Sequence, residues 1–135
     1  MAAAISLGAA LATGTKYKIE VGQPTFDPIK RNLPLEEAAR VNMEALGIPL
    51  SKDDGRRGSS DIGNLSYYLP AIHPSLAIVD PEVPGHSQTF AEATMSPRGR
   101  ETLLKAAKLL AMTGYDYLTS AELREKVRET FQKKE

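Results

Sequence analysis

The stretch that decides the fold runs from Gly58 to Ala93 and reads GSSDIGNLSYYLPAIHPSLAIVDPEVPGHSQTFAEA. It contains both histidines of the chain, His73 and His86, and the densest run of small and polar residues, Gly58-Ser59-Ser60-Asp61. Between these features, Leu76 to Val79 is a short apolar run that predicts a buried strand. The whole pattern indicates a glycine-rich loop, a strand and a second loop that carries a histidine. Active-site residues favour loops held by a rigid scaffold, so chemistry is expected here.

The segments outside this stretch follow simple patterns. Thr15 to Val21 alternates apolar and polar residues, which predicts a half-buried strand. Helices are predicted for Ala2–Ala12 ending at Gly14, for Leu35–Leu46 ending at Gly47, after Ser96-Pro97, and after a capping box at Thr119-Ser120-Ala121-Glu122. Shorter helical turns are indicated near Asp61–Leu69 and Thr89–Ala93. An apolar stripe on the Ser96 helix is expected to pack on a sheet: Leu103, Ala107, Leu110, Ala111 and Leu118.

Composition excludes several classes of protein. At 135 residues, the chain suits one domain or part of a larger one. The 17 basic residues balance the 17 acidic ones, which argues against a surface for nucleic acid or an anionic membrane. There is no cysteine, and therefore neither a disulfide framework nor a thiolate metal site. Ala10-Leu11-Ala12 resembles a signal cleavage site, but no positively charged segment precedes it, so an alanine-rich helix is favoured and a small secreted protein with cleaved first residues is the weaker alternative. We expect a cytoplasmic protein without a membrane partner.

The candidate functional residues each allow a second interpretation. His86, beside Gly85 and Ser87, is either a zinc ligand or an ordinary loop histidine. His73, before Pro74, either has a role in a site or donates to a backbone carbonyl. Ser59, Ser60 and Asp61 either bind an anion or carboxylate or simply cap a helix. Asp61 could also orient a ligating histidine.

Three blocks in order resemble the aminoacylase-like zinc amidohydrolases of peptidase family M-20. They are GSSDIGNLS with LPAIHP at 58–66 and 69–74, GHS with FAEA at 85–87 and 90–93, and AAKLLAMT at 106–113. The likeness is greatest to aminoacylase-1-like dipeptidases and aminobenzoyl-glutamate hydrolases, and it spans roughly Ala9 to Phe131. It implies an α/β fold: the C-terminal part of a zinc-exopeptidase-like three-layer α/β/α catalytic domain. Residues 1–22 would be the last helix and strand of an inserted lid (dimerisation) domain, and residues 23–135 would belong to the catalytic domain.

The resemblance also implies a chemistry. The parent activity would be metal-dependent hydrolysis of an amide bond in N-acyl amino acids or small dipeptides, with two zinc ions in a complete site. His86 falls at the family's last metal-binding histidine. Ser59, Ser60 and Asp61 resemble a loop lining the substrate cleft, and His73 matches a position in the same subgroup. The parent would form a homo-oligomer through the lid.

The remaining zinc ligands and the general base have no counterpart in this sequence. One histidine cannot hold a dinuclear site, since each zinc takes about four ligands. We therefore expect this chain alone to be inactive, which leaves open whether it should be called an enzyme. The alternative is a non-catalytic, truncated α/β module that acts as a binding or interaction protein.

Overall fold

The computed structural model describes residues 2–20, 22, 25–51 and 60–133, and it is helical throughout its regular elements. No helix in these ranges is both long and apolar enough to cross a membrane. The helices are α1 (Ala2–Thr13), α2 (Leu33–Ala45), α3 (Asp61–Leu65), α4 (Gln88–Ala93), α5 (Pro97–Thr119) and α6 (Ala121–Gln132).

The core lies where α2, α5 and α6 pack on one another. Ala39 of α2, Leu109 of α5 and Val127 of α6 are buried, and Val127 has no exposed surface. These residues lie on the inward stripes of their helices, so the hydrophobic effect favours this packing. Asn42 and Thr113 are buried beside these apolar residues, and Asn32 is buried next to α2, so a substantial part of the core is polar.

Two buried asparagines connect the three core helices. Asn42 on α2 donates through Nδ2 to Asp116 Oδ2 at 2.7 Å and to Thr113 Oγ1 at 3.3 Å, both on α5. Asn32 precedes α2 and donates through Nδ2 to the carbonyl of Val127 on α6 at 2.9 Å. Its Oδ1 also accepts from the Leu35 amide, which caps α2. Because an unpaired buried amide is costly, these bonds fix how the helices meet.

The helix ends follow local chemistry, with one correction. Gly14 and Gly47 have φ of +66° and +63° just after α1 and α2, as predicted, because glycine has no Cβ to clash in this conformation. Ser96 caps α5 with Pro97 in its first turn, also as predicted. The capping box predicted at Thr119 lies one residue too early. Ser120 is the N-cap of α6, accepting from the Leu123 amide at 3.1 Å.

The α/β fold class is wrong for this chain. The described ranges contain no strand, so they do not form a three-layer α/β/α domain. Thr15–Glu20 and Leu76–Val79, predicted as strands, have no regular structure, and Val21 lies outside the described residues. A strand needs a neighbour to complete its hydrogen bonds. Alternation in the sequence reports a preference for β structure but supplies no such neighbour.

The apolar stripe predicted on α5 faces outward. Leu104, Gly114 and Tyr115 adjoin this stripe, and we call the whole set the outer face of α5. All of its members are exposed: Leu103, Leu104, Ala107, Leu110, Ala111, Gly114, Tyr115 and Leu118. The buried side of α5 instead carries Gly99, Leu109 and Thr113. The prediction that the stripe packs on a sheet is wrong within the described residues. The boundary proposed between residues 1–22 and 23–135 remains a prediction.

Candidate functional site

His86 lies in a tight loop with an unusual backbone. Its φ is +59°, and it is the one non-glycine residue with positive φ in the described ranges. Ser87 closes the loop: its Oγ donates to the carbonyl of Pro84 at 2.8 Å and accepts from the amide of Phe90 at 3.2 Å, which caps α4. The imidazole itself is exposed. Such conformations cost about 1–3 kcal/mol for a residue with a side chain and cluster at functional sites, so the geometry favours a role for His86.

The serine–aspartate block begins α3. Ser60 is its N-cap, because its Oγ accepts from the amide of Ile62 at 3.2 Å. Asp61 lies in the first turn with its carboxylate exposed. Ser59 is outside the described residues. Capping therefore accounts for the position of Ser60, and the role of all three residues in binding a substrate stays a prediction.

His73 lies between α3 and α4, in a segment without regular structure, and it directly precedes Pro74. Its side chain is exposed. The alternative of a histidine donating to a carbonyl rested on burial, which the structure does not provide. His73 is thus accessible to a ligand, but the fold gives it no further distinguishing feature.

The residues do not fit a metal ion by themselves. No group of three or more histidine, aspartate or glutamate side chains in the described ranges is arranged to hold one. A catalytic zinc needs at least three protein ligands, and a structural zinc needs four. His86 could supply one ligand at most, so the others would have to come from outside the described ranges.

The sequence did not predict that three residues in and just after α3 contact the segment of residues 25–30. Asn64 donates through Nδ2 to the Thr25 carbonyl at 2.8 Å and accepts through Oδ1 from the Asp27 amide at 2.9 Å. The buried Ser66 accepts from the Lys30 amide at 2.8 Å. A Cβ on Gly63 would lie 1.8 Å from the Asp27 carbonyl oxygen. We call Gly63, Asn64 and Ser66 the connector clamp, since they hold residues 25–30 against α3.

No periodic signal marks these three residues. Asparagine and serine between apolar positions usually indicate a solvent-exposed position. A glycine in a short helix indicates only a weak helix propensity. The single available clue was their small or amide-bearing side chains in one block. The sequence predicts only a short helical turn near Asp61–Leu69, whereas the contacts of Asn64 and Ser66 position the chain that leads into α2.

An open groove of about 510 Å³ lies near the N-terminus. Its walls combine the end of α1 with the residues that follow: Leu7, Ala10, Leu11, Gly14, Thr15, Lys16 and Tyr17. It contains none of the predicted site residues. Lys16 is its one charged lining residue, so the groove offers little chemistry for catalysis.

Two known proteins are similar to this chain over most of its length. Xaa-Arg dipeptidase from Homo sapiens is 35% identical over 130 residues, and the Mus musculus protein of the same name is 35% identical over 127 residues. The alignments cover 93% and 91% of this chain, but the chain spans only 30% and 29% of those relatives. No protein-family model matches the chain. The chain is therefore similar to part of two proteins named as dipeptidases, and it spans less than a third of their length.

Proposed function

We propose that this polypeptide contributes part of the machinery of a dipeptidase-type amidohydrolase of the M-20 kind. The observation that carries the proposal is the 35% identity to Xaa-Arg dipeptidase along 93% of the chain. The reaction would be hydrolysis of the amide bond in a dipeptide or N-acyl amino acid. A dipeptide ending in arginine is the first substrate to test, because the relatives carry that name.

In this proposal His86 is the residue that contributes to a zinc site. Its loop supports the role because the Ser87 hydroxyl bonds to Pro84 and Phe90 and so fixes the backbone beside His86, whose imidazole is exposed. Zinc would polarise the amide carbonyl when bound. Because the described residues do not complete a metal site, we assign them no catalytic step that passes through zinc.

Asp61 and Ser60 are proposed to contact the substrate. The exposed carboxylate of Asp61 can pair with a cationic group, and guanidinium–carboxylate pairs are among the strongest hydrogen-bonded pairs. The Ser60 hydroxyl accepts from Ile62 through its oxygen and still carries a proton to donate. His73 stays a candidate for the same role. The polypeptide alone is proposed to be inactive, since it presents one histidine where several ligands are needed.

A chimera tests this proposal. The aligned segment of the human Xaa-Arg dipeptidase is replaced by this 135-residue sequence, and release of arginine from an Xaa-Arg dipeptide is measured with and without added zinc. We expect the chimera to hydrolyse the dipeptide and the isolated chain to show no zinc-dependent turnover. In the chimera, His86→Ala should reduce kcat/KM by about 100-fold or more, as expected for loss of a metal ligand.

The matched control is Gln88→Ala, which alters an exposed side chain two positions away. It should change kcat/KM less than about two-fold, as do most exposed substitutions outside a site. Equal activity of the chimeras with and without His86 would refute the assignment of this residue. Zinc-dependent hydrolysis by the isolated chain would refute the proposal that it is incomplete.

A further inference from the structure

The segment that carries His86 begins at a contact with the first turn of α5. The Arg98 guanidinium donates to Asp80 Oδ1 at 2.8 Å and to the Val79 carbonyl at 3.2 Å. The carbonyl of Asp80 accepts from the Val83 amide at 3.0 Å, which forms a turn. Arg98 therefore holds both a side chain and the backbone at a point that lies six positions before His86.

The same segment ends against the next residue of α5. Gly99 is buried, and a Cβ there would lie 2.3 Å from the carbonyl oxygen of Ala93 and 2.8 Å from that of Thr94. Ala93 is the last residue of α4, so the C-terminal end of that helix rests directly on α5. The Ser96 hydroxyl also donates to the Ala93 carbonyl at 2.7 Å and accepts from the Gly99 amide at 3.0 Å.

Contacts at consecutive residues of α5 bring the two ends of this segment close together. We call residues 79–94 the His86 segment. Compact surface loops of about 6–16 residues whose ends are close together are frequently functional, and the length of the His86 segment falls in that range. His86 lies near its middle, at the strained φ of +59°.

Hydrogen bonds inside the His86 segment connect both ends to His86 itself. The Ser87 hydroxyl donates to the Pro84 carbonyl and accepts from the Phe90 amide, so it joins the turn of His86 to α4. Because α4 has less than two turns of helix, a displacement of Ala93 at its far end also moves Ser87. The position of His86 therefore depends on how α5 holds the two ends.

We propose that Arg98 and Gly99 are positioning residues, which hold His86 where its imidazole acts. This inference rests on the proposed role of His86 in the reaction. Gly99 should matter more than Arg98. The ion pair of Arg98 is half exposed, and exposed pairs contribute little. A Cβ at position 99, in contrast, must push the end of α4 about 1.1 Å away to reach an ordinary 3.4 Å contact.

Amide hydrogen exchange in the full chain tests this holding without requiring activity. The reporters are the amides of Val83 and Phe90 in the His86 segment, with Leu123 in the cap of α6 as the reference. Arg98→Ala should speed exchange at Val83 by about two- to five-fold, the range that an exposed ion pair supports. Gly99→Ala should speed exchange at Phe90 by about ten-fold or more, because it overpacks against backbone. Leu123 should be unaffected, whereas a general loss of stability would speed its exchange as well.

Two matched controls lie on the same helix. Arg100→Ala removes the same charge two positions away, and Gly114→Ala makes the same substitution where a Cβ meets nothing within 4 Å. Neither should speed exchange in the His86 segment. Arg98→Lys should recover part of the protection, because lysine keeps the charge but lacks the planar fork that reaches Asp80 and Val79 together.

Kinetics of the chimera with the human dipeptidase test what this positioning does for the reaction. A misplacement of about 1 Å can cost about 100-fold in rate. Gly99→Ala should therefore lower kcat by about ten-fold or more while KM changes less than about two-fold, since the change acts on the reacting step rather than on substrate binding. Gly114→Ala should leave both constants within about two-fold. A Gly99→Ala chimera with an unchanged kcat would overturn the proposal.

The two measurements separate this proposal from the proposed function. Faster exchange in both test variants, together with a fully active His86→Ala chimera, would refute the role of His86 alone. Unchanged exchange in Arg98→Ala and Gly99→Ala, together with an inactive His86→Ala chimera, would refute the positioning alone. Circular dichroism checks that each variant keeps its helices.

Discussion

Gly63→Ala should destabilise the protein although alanine favours helices. The added Cβ would lie 1.8 Å from the carbonyl oxygen of Asp27 and 2.9 Å from its carbonyl carbon, both backbone atoms that cannot rotate away. Reaching a tolerable 3.4 Å requires residues 25–28 to move about 1.6 Å from α3. That shift breaks both bonds of Asn64, to the Thr25 carbonyl and from the Asp27 amide.

The magnitude follows from these contacts. Two hydrogen bonds contribute about 1 kcal/mol each, and overpacking costs about 1–3 kcal/mol, while the gain in helix propensity offsets about 1 kcal/mol. We expect a net loss of about 2–4 kcal/mol in the free energy of unfolding. Urea unfolding followed by circular dichroism at 222 nm measures it, with an unchanged m-value as the sign that the native state stays compact.

Gly114→Ala is the matched control for this experiment. A Cβ there meets nothing within 4 Å, so the same substitution should stabilise the chain by about 0.5–1 kcal/mol through helix propensity alone. Both variants are compared at one low protein concentration, so that association does not contribute. If Gly63→Ala were as stabilising as Gly114→Ala, the close approach of residues 25–28 to α3 would be refuted.

Three further predictions concern single positions. Ser120→Ala should cost about 1 kcal/mol of unfolding free energy by removing the cap of α6. In urea unfolding, Thr119→Ala should lower the free energy of unfolding by clearly less than Ser120→Ala does. A larger loss for Thr119→Ala would mean that Thr119, not Ser120, is the cap. Lys126 lies 2.6 Å from Glu122 and lowers the pKa of that carboxyl below its ordinary value. A lowered pKa gives stability that is present above the unfolded-state pKa and lost as pH falls through the folded-state value, so Lys126→Gln should move the Glu122 titration midpoint upward in an NMR pH series. His86→Gly should raise the melting temperature while His86→Val lowers it, because only glycine adopts φ of +59° without strain; equal melting temperatures would show that this loop relaxes freely.

Local signals predicted the helices well because their causes are local. Gly14 and Gly47 end α1 and α2 through backbone conformations that depend on one residue. Ser96 with Pro97 begins α5 through a hydrogen bond spanning three positions. The strands failed for the opposite reason. Tyr17 and Ile19 alternate correctly, but a ladder depends on distant backbone that alternation does not reveal.

Periodicity located an apolar face on α5 but could not tell which face the fold buries. Leu109 and Thr113 are buried, although the stripe from Leu103 to Leu118 has the stronger pattern. The buried amides were missed because asparagine is usually exposed, and pairs such as Asn42 with Asp116 are 74 positions apart.

For the candidate site as well, the sequence predicted the local features but not those that depend on the three-dimensional structure. The pattern of small residues identified the loop of His86, but its left-handed backbone emerges only in three dimensions. Ser60 was predicted as either a cap or a binding residue, and its geometry shows the cap. The connector clamp, in contrast, depends on residues 25–30 meeting α3, which no local rule anticipates.

The contacts of Lys30 and Asn32 have a consequence for protein synthesis. The Nζ of Lys30 lies 4.6 Å from the centroid of the Phe131 ring and donates to the Phe131 carbonyl, while Asn32 donates to the carbonyl of Val127. These partners are 101 and 95 positions later in the sequence. At about 5–20 residues per second, a ribosome needs roughly 5–20 s to make that interval. The segment leading into α2 is therefore synthesised long before its partners. A transcript truncated ahead of α6 would yield a chain in which Lys30 and Asn32 lack these contacts.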